Sequence, residues 1–128
     1  MKDNRRYIVE IEQVSKDVTK KESVLLKDTS DATVLLESCK DGAVIIKPAM
    51  WAVLNIHNEN NNDGDKDYRC YIIVDEDGNK YKTGSESFWS SFRDIVDDMT
   101  DSDEEWAVKV YRLPSKNGKQ DFITCSII

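Results

Sequence analysis

The chain has 128 residues, 39% hydrophobic and 34% charged, with five glycines and two prolines, which excludes collagen-like, linker-like and low-complexity classes. Its formal net charge of −7 argues against a general coat for duplex DNA or a binder of anionic membranes, while leaving room for a local basic face. One domain over residues 1–128 is the expectation, since a chain of this size buries about two-thirds of the surface that its unfolded form exposes.

No apolar run approaches the roughly 18 residues of a membrane span, and Met1-Lys2-Asp3-Asn4-Arg5-Arg6 leads into alternation rather than an apolar leader segment. A cytoplasmic protein without membrane contact is expected. Cys39, Cys70 and Cys125 are odd in number and lack CxxC spacing, so they read as buried reduced thiols.

Residues 5–14 alternate apolar and charged side chains after Tyr7, the period of a half-buried strand. A polar stretch follows to about Asp28, and Thr29-Ser30-Asp31 can cap a short helix through Cys39, ended by Asp41-Gly42. Residues 43–57 are rich in β-formers but interrupted by Pro48, which predicts one long strand bent at the proline. After an Asn/Asp/Gly loop to Asp67, Tyr68–Val74 and Lys80–Thr83 form a hairpin about the turn Asp75-Glu76-Asp77-Gly78-Asn79. Thr83-Gly84-Ser85-Glu86 has capping-box spacing, and Phe88, Phe92, Ile95 and Met99 recur at helical intervals, predicting an amphipathic helix to about Met99. An acidic connector, a strand over Trp106–Leu113, a loop from Pro114 to Lys119 and a last strand over Asp121–Ile128 complete the chain.

Strand, strand, strand, helix, strand, strand is the order of the OB-fold, a five-stranded barrel with its helix between the third and fourth strands. Residues 43–128 supply every part, and residues 1–40 then add an N-terminal strand and short helix. The expected class is mainly β, and a generic α+β sandwich is the competitor.

Period 2 sorts the faces. With Ala52, Leu54 and Ile56 inward on the bent strand, Trp51, Val53, Asn55 and His57 point outward. Tyr68, Cys70, Ile72 and Val74 inward leave Arg69, Tyr71 and Ile73 outside. Trp106, Val108 and Val110 inward leave Lys109 and Tyr111 outside, and inward Ile123, Cys125 and Ile127 turn out Phe122 and Thr124. The outward set is aromatic and basic: Trp51, Tyr71, Tyr111 and Phe122, with Arg69, Lys80, Lys82 and Lys109. Arg112, Lys116 and Lys119 make the segment around the last loop locally positive. Unpaired bases stack on aromatic rings while Lys and Arg follow phosphates, so this set predicts contact with single-stranded nucleic acid. The plainer reading is that the aromatics pack under the N-terminal extension and that the lysines serve solubility.

No phosphate-cradling glycine loop, GxSxG elbow or HExxH helix occurs, so no catalytic residue is assigned and a non-enzymatic chain is expected. No cofactor or metal is expected either: His57 is the only histidine, and the acidic turns depart from the calcium-loop pattern. Asp94, Asp97, Asp98, Asp101, Asp103, Glu104 and Glu105 read as a solvated helix end and loop, or as a dock for a basic protein.

The stretch Tyr81-Lys-Thr-Gly-Ser-Glu-Ser-Phe-Trp-Ser-Ser-Phe92, with Trp106-Ala-Val-Lys-Val-Tyr-Arg112 and Pro114-Ser-Lys-Asn-Gly-Lys-Gln-Asp-Phe-Ile-Thr-Cys125, resembles the small single-stranded-DNA-binding OB-fold proteins of phages and mobile elements. The resemblance covers roughly residues 65–128. It implies a non-enzymatic role in DNA replication or recombination, with single-stranded DNA and replication or recombination proteins as partners. Many bacterial single-strand binders end in an acidic recruiting tail, whereas this sequence ends in Thr-Cys-Ser-Ile-Ile. Coating by several copies would need an interface, for which the strand over 7–14 is a candidate edge. The rival reading is an acidic protein-interaction module, a phage inhibitor or adaptor of a host nucleic-acid-binding protein.

Overall fold

Residues 48–58 and 67–75 carry apolar side chains at both odd and even positions, so pairing them creates a sheet with two faces to bury. The structure, a computed structural model, describes residues 7–60, 64–114 and 121–128. Its elements are β1 (Tyr7–Val14), α1 (Lys20–Lys27), β2 (Thr33–Val34), α2 (Leu35–Ser38), β3 (Val44–Ile46), β4 (Pro48–Asn58), β5 (Asp67–Asp75), β6 (Lys80–Thr83), α3 (Glu86–Met99), β7 (Val108–Leu113) and β8 (Phe122–Ile127). The first sheet has the order β1-β4-β5-β6-β2 and the second β3-β7-β8.

β3 and β4 are two halves of one segment bent at Lys47-Pro48, and each half belongs to a different sheet. Proline cannot donate to a ladder, and the register of β4 against β5 shifts between Pro48 and Met50. β3 pairs with β7, while β4 pairs with β5 from Pro48↔Asp75 to His57↔Asp67.

The chain is mainly β with two sheets and three helices, and the expected closed five-stranded barrel is not formed. β6 pairs in parallel with β2, Thr33 opposite Tyr81, where a barrel would pair it with the last strand. The short α2 lies against both β6 and β8, and its Leu35 is fully buried in the core.

The facing of β4 and β5 is the reverse of the expected one. Trp51, Val53, Tyr71 and Ile73 lie in one cluster with Phe88, Trp89 and Phe92 of α3 and with Val108, Val110, Ile123 and Cys125 of the second sheet. Ala52, Leu54, Ile56 and Ile72 form a second cluster around Leu26 of α1, joined by Val9, Ile11, Val14 and Val18. Alternation separates the two sets, but it cannot say which lies between the sheets when both are apolar. Tyr68 and Ile127, expected inside, are exposed.

The helices also depart from expectation. The supposed polar connector contains α1, started by a capping box in which the Glu22 N–H donates to Thr19 Oγ1 at 3.1 Å and the Thr19 N–H to Glu22 Oε1 at 2.9 Å. The helix expected over 29–39 shrinks to α2, because Asp28 Oδ1 accepts from the Ser30 N–H at 3.1 Å and its hydroxyl at 2.6 Å, closing a turn there. α3 begins at Glu86 with Ser85 as its cap, accepting from the Phe88 N–H at 3.2 Å; Thr83 Oγ1 accepts from Ser85 instead. In the hairpin turn, Asp75 Oδ1 accepts from the Asn79 N–H at 2.8 Å and Gly78 takes φ 88°, a value that favours glycine.

Trp89 joins the layers: its ring stacks on Tyr71 at 4.8 Å and on Phe92 at 5.1 Å, and meets Trp51 edge-on at 5.7 Å. Trp89→Ala should lower unfolding free energy by about 3–5 kcal/mol in urea titrations, with Ser90→Ala, one residue along and exposed, within about 0.5. Equal effects at the two positions would contradict this core.

Candidate nucleic-acid interface

Two of the four expected stacking rings are not available as a platform. Trp51 is 8% exposed and Tyr71 5%, both beneath α3. The Arg93 guanidinium lies 3.8 Å over the Trp51 ring, closing it further.

Among the described residues, four of the five expected cations are engaged by other groups of the chain. Lys80, with 9% of its side chain exposed, donates to the Leu25 carbonyl and, at 2.8 Å, to the Asp28 carbonyl, and pairs with Asp31 at 2.8 Å. Lys82 donates to the Thr29 carbonyl at 3.0 Å. Arg112 donates from Nε and Nη2 to the Leu36 carbonyl at 2.9 and 2.6 Å, and its Nη1 lies 3.6 Å from Asp121. These three side chains fasten residues 25–36 to the strands. Arg69 is more open but pairs with Glu12 at 3.1 Å. Lys116 and Lys119 lie outside the described residues.

What remains together is the outer face of the second sheet. Register places Ile45 opposite Lys109, Lys109 opposite Ser126, Tyr111 opposite Thr124 and Leu113 opposite Phe122. Phe122 is 44% exposed. The Tyr111 hydroxyl is 3.1 Å from Ser126 Oγ, and Lys109 Nζ sits 5.7 Å from the centre of the Tyr111 ring. No carboxylate stands among the outward residues of these three strands, Ile45, Lys109, Tyr111, Leu113, Phe122, Thr124 and Ser126. A ring fixed by a hydroxyl contact beside a lysine can stack a base and approach a phosphate.

His57 occupies a site that composition did not flag. Its Nδ1 is 2.7 Å from Asp67 and its Nε2 2.6 Å from Glu59, so both ring nitrogens meet carboxylates. The hydrogen bond with Asp67, then that with Glu59, raises its pKa above the ordinary histidine value. A strand residue flanked by a carboxylate two positions on and by an acidic loop was the available signal. No group of three or more His, Cys, Asp or Glu is placed to hold a metal among the described residues. Burial pushes the Cys39 and Cys70 thiols up and Cys125 to about 11, which leaves all three weak nucleophiles at neutral pH.

Every carboxylate of the 94–105 run is exposed, and Asp97 pairs with Arg93 at 3.4 Å. No helix among the described residues is long and apolar enough to cross a membrane. Comparison with protein-family models, with curated proteins and with solved structures finds no match to this chain.

Because the folded-state pKa of His57 is raised, its contribution to stability is complete below the unfolded pKa and is lost as pH rises through the folded value. The stability advantage over His57→Gln should therefore shrink from acid towards alkaline pH. An NMR titration of the ring protons should give a midpoint above the ordinary value of about 6.5; a midpoint at or below it would contradict the two-carboxylate environment.

Proposed function

We propose that the chain is a non-enzymatic single-stranded-DNA-binding protein of phage type, acting in replication or recombination in the host cytoplasm. The element order around a bent first strand, which is that of an OB-fold, supports this reading. The observation that carries it is the outer face of β3-β7-β8, whose outward strand residues include Lys109, Tyr111 and Phe122 and no carboxylate. Bases stack on Tyr111 and Phe122, while Lys109 and the loop lysines Lys116 and Lys119 contact phosphates. Stacking carries no sequence code, so binding tolerates any base composition and weakens as salt rises. Trp51 and Tyr71 act here through the core. The charges of Arg69, Lys80, Lys82 and Arg112 are spent within the fold rather than on phosphates.

The second reading, an acidic module that docks a host nucleic-acid-binding protein, is favoured by the exposed carboxylates of residues 94–105.

Tyr111→Ala and Phe122→Ala should each weaken single-strand binding by about 1–3 kcal/mol, equally on mixed and homopolymeric strands, in anisotropy titrations at two salt concentrations. Neutralising Asp97, Asp98, Asp101 and Asp103 together should leave that binding unchanged or tighter. Wild-type affinity in both aromatic variants would remove the β7–β8 face. An absence of single-strand binding by the wild-type protein would leave the acidic module as the better reading.

A further inference from the structure

We propose that the open edge of β1 and the acidic groove beside it form a docking surface for an extended, basic segment of a partner protein. α3 covers only part of the inner face of the first sheet. Beyond the helix's N-terminal end lies a groove of about 740 Å³, bordered by Ile8 and Glu10 of β1, Asp67 of β5, Asp65 and Glu86. Glu10 and Glu86 have no ion-pair partner among the described residues. Four carboxylates, one each from β1, β5 and α3 and one from the segment before β5, thus border one cavity, in which Arg69 is held by Glu12 and His57 by Asp67 and Glu59.

The backbone supplies a second, independent feature. β1 is eight residues long and stands at the end of its sheet, paired among the described residues with β4 along one edge only. An incoming strand can hydrogen-bond along the other edge, with alternate side chains on the groove side next to Ile8 and Glu10. Lysine or arginine stems then lie along Ile8 and reach towards Tyr71, and their heads meet the carboxylates. The same charge disfavours a nucleic acid here. A second copy is disfavoured as well, because antiparallel self-pairing of β1 brings Glu10 and Glu12 of the two chains close together.

The probe is a fluorescein-labelled peptide of alternating lysine and valine, with a glutamate–valine peptide as control, followed by anisotropy with the full chain. Saturable binding of the basic peptide alone is expected. Combining Glu10→Gln and Glu86→Gln, both exposed, should weaken it by about tenfold, and the variant neutralised at Asp97, Asp98, Asp101 and Asp103 should bind as wild type. N-methylating alternate peptide bonds keeps the charge but removes backbone pairing, so it should abolish binding. Amide exchange on the wild-type chain should slow along β1 when the peptide is bound. Equal binding of the methylated peptide, wild-type affinity in the groove variant, loss only in the neutralised-run variant, or a peptide-free dimer that protects β1 would each overturn the proposal.

Discussion

The fold rests on a strand pair that is apolar on both sides. β4 and β5 present Trp51, Val53, Tyr71 and Ile73 to one face and Ala52, Leu54, Ile56 and Ile72 to the other. Leaving either set in water would forfeit about 1.5–3 kcal/mol per large side chain. Two covers answer this. α3 lays Phe88, Trp89 and Phe92 over the first set with the second sheet behind it, and α1 lays Leu26, which is fully buried, over the other. Among the described residues, the N-terminal stretch thus contributes to both core clusters, through Leu35 and Cys39 to one and Val9, Ile11 and Leu26 to the other. Lys80, Lys82 and Arg112 hold residues 28–36 in place by donating to the Asp28, Thr29 and Leu36 carbonyls.

That requirement reshapes the functional surface. The rings best suited to stacking bases, Trp51 and Tyr71, sit beside Trp89 instead. Lys80 and Lys82, expected to meet phosphates, are fastened to the N-terminal segment. Among the described residues, what is left uncovered includes a ring-and-lysine face on β7 and β8 without outward carboxylates, an acidic groove beside β1 and the exposed carboxylates of residues 94–105. The first of these suits the proposed anionic strand and the second the proposed cationic polypeptide.

The strands are readable from the sequence because alternation and turn chemistry are local. Lys80–Thr83 is a strand within those bounds, Pro48 marks the bend, and the helix ending at Met99 follows from the spacing of Phe88, Phe92, Ile95 and Met99. The facing of β4 and β5 is not local. When odd and even positions are both apolar, only the partners arriving from residues 20–39 and 86–99 decide which set lies between the sheets. Helix α1 was readable in principle, since Thr19-Lys-Lys-Glu22 has capping-box spacing before Val24, Leu25 and Leu26, but its lysine-rich surroundings mask the short apolar run. The open barrel was not readable. The two-residue β2 occupies the edge of β6 on which a barrel would close, a pairing too short to leave a periodic trace. At the site, the outward positions of Lys109, Tyr111 and Phe122 follow from alternation on a sheet with one covered face, although the pattern fails at the end of β8, where Ile127 is exposed.

Amide chemical-shift mapping during titration with a mixed-sequence single-stranded oligonucleotide tests most directly whether the core has taken the inner aromatics and left the second sheet to the strand. Saturable shifts at Lys109, Tyr111, Phe122 and Thr124, with β4 and β5 unmoved, are the predicted result. Shifts centred on Trp51, Arg69 and Tyr71 would mean that α3 gives way to the strand, and would contradict the two-sided cover from which the rest of the structure follows.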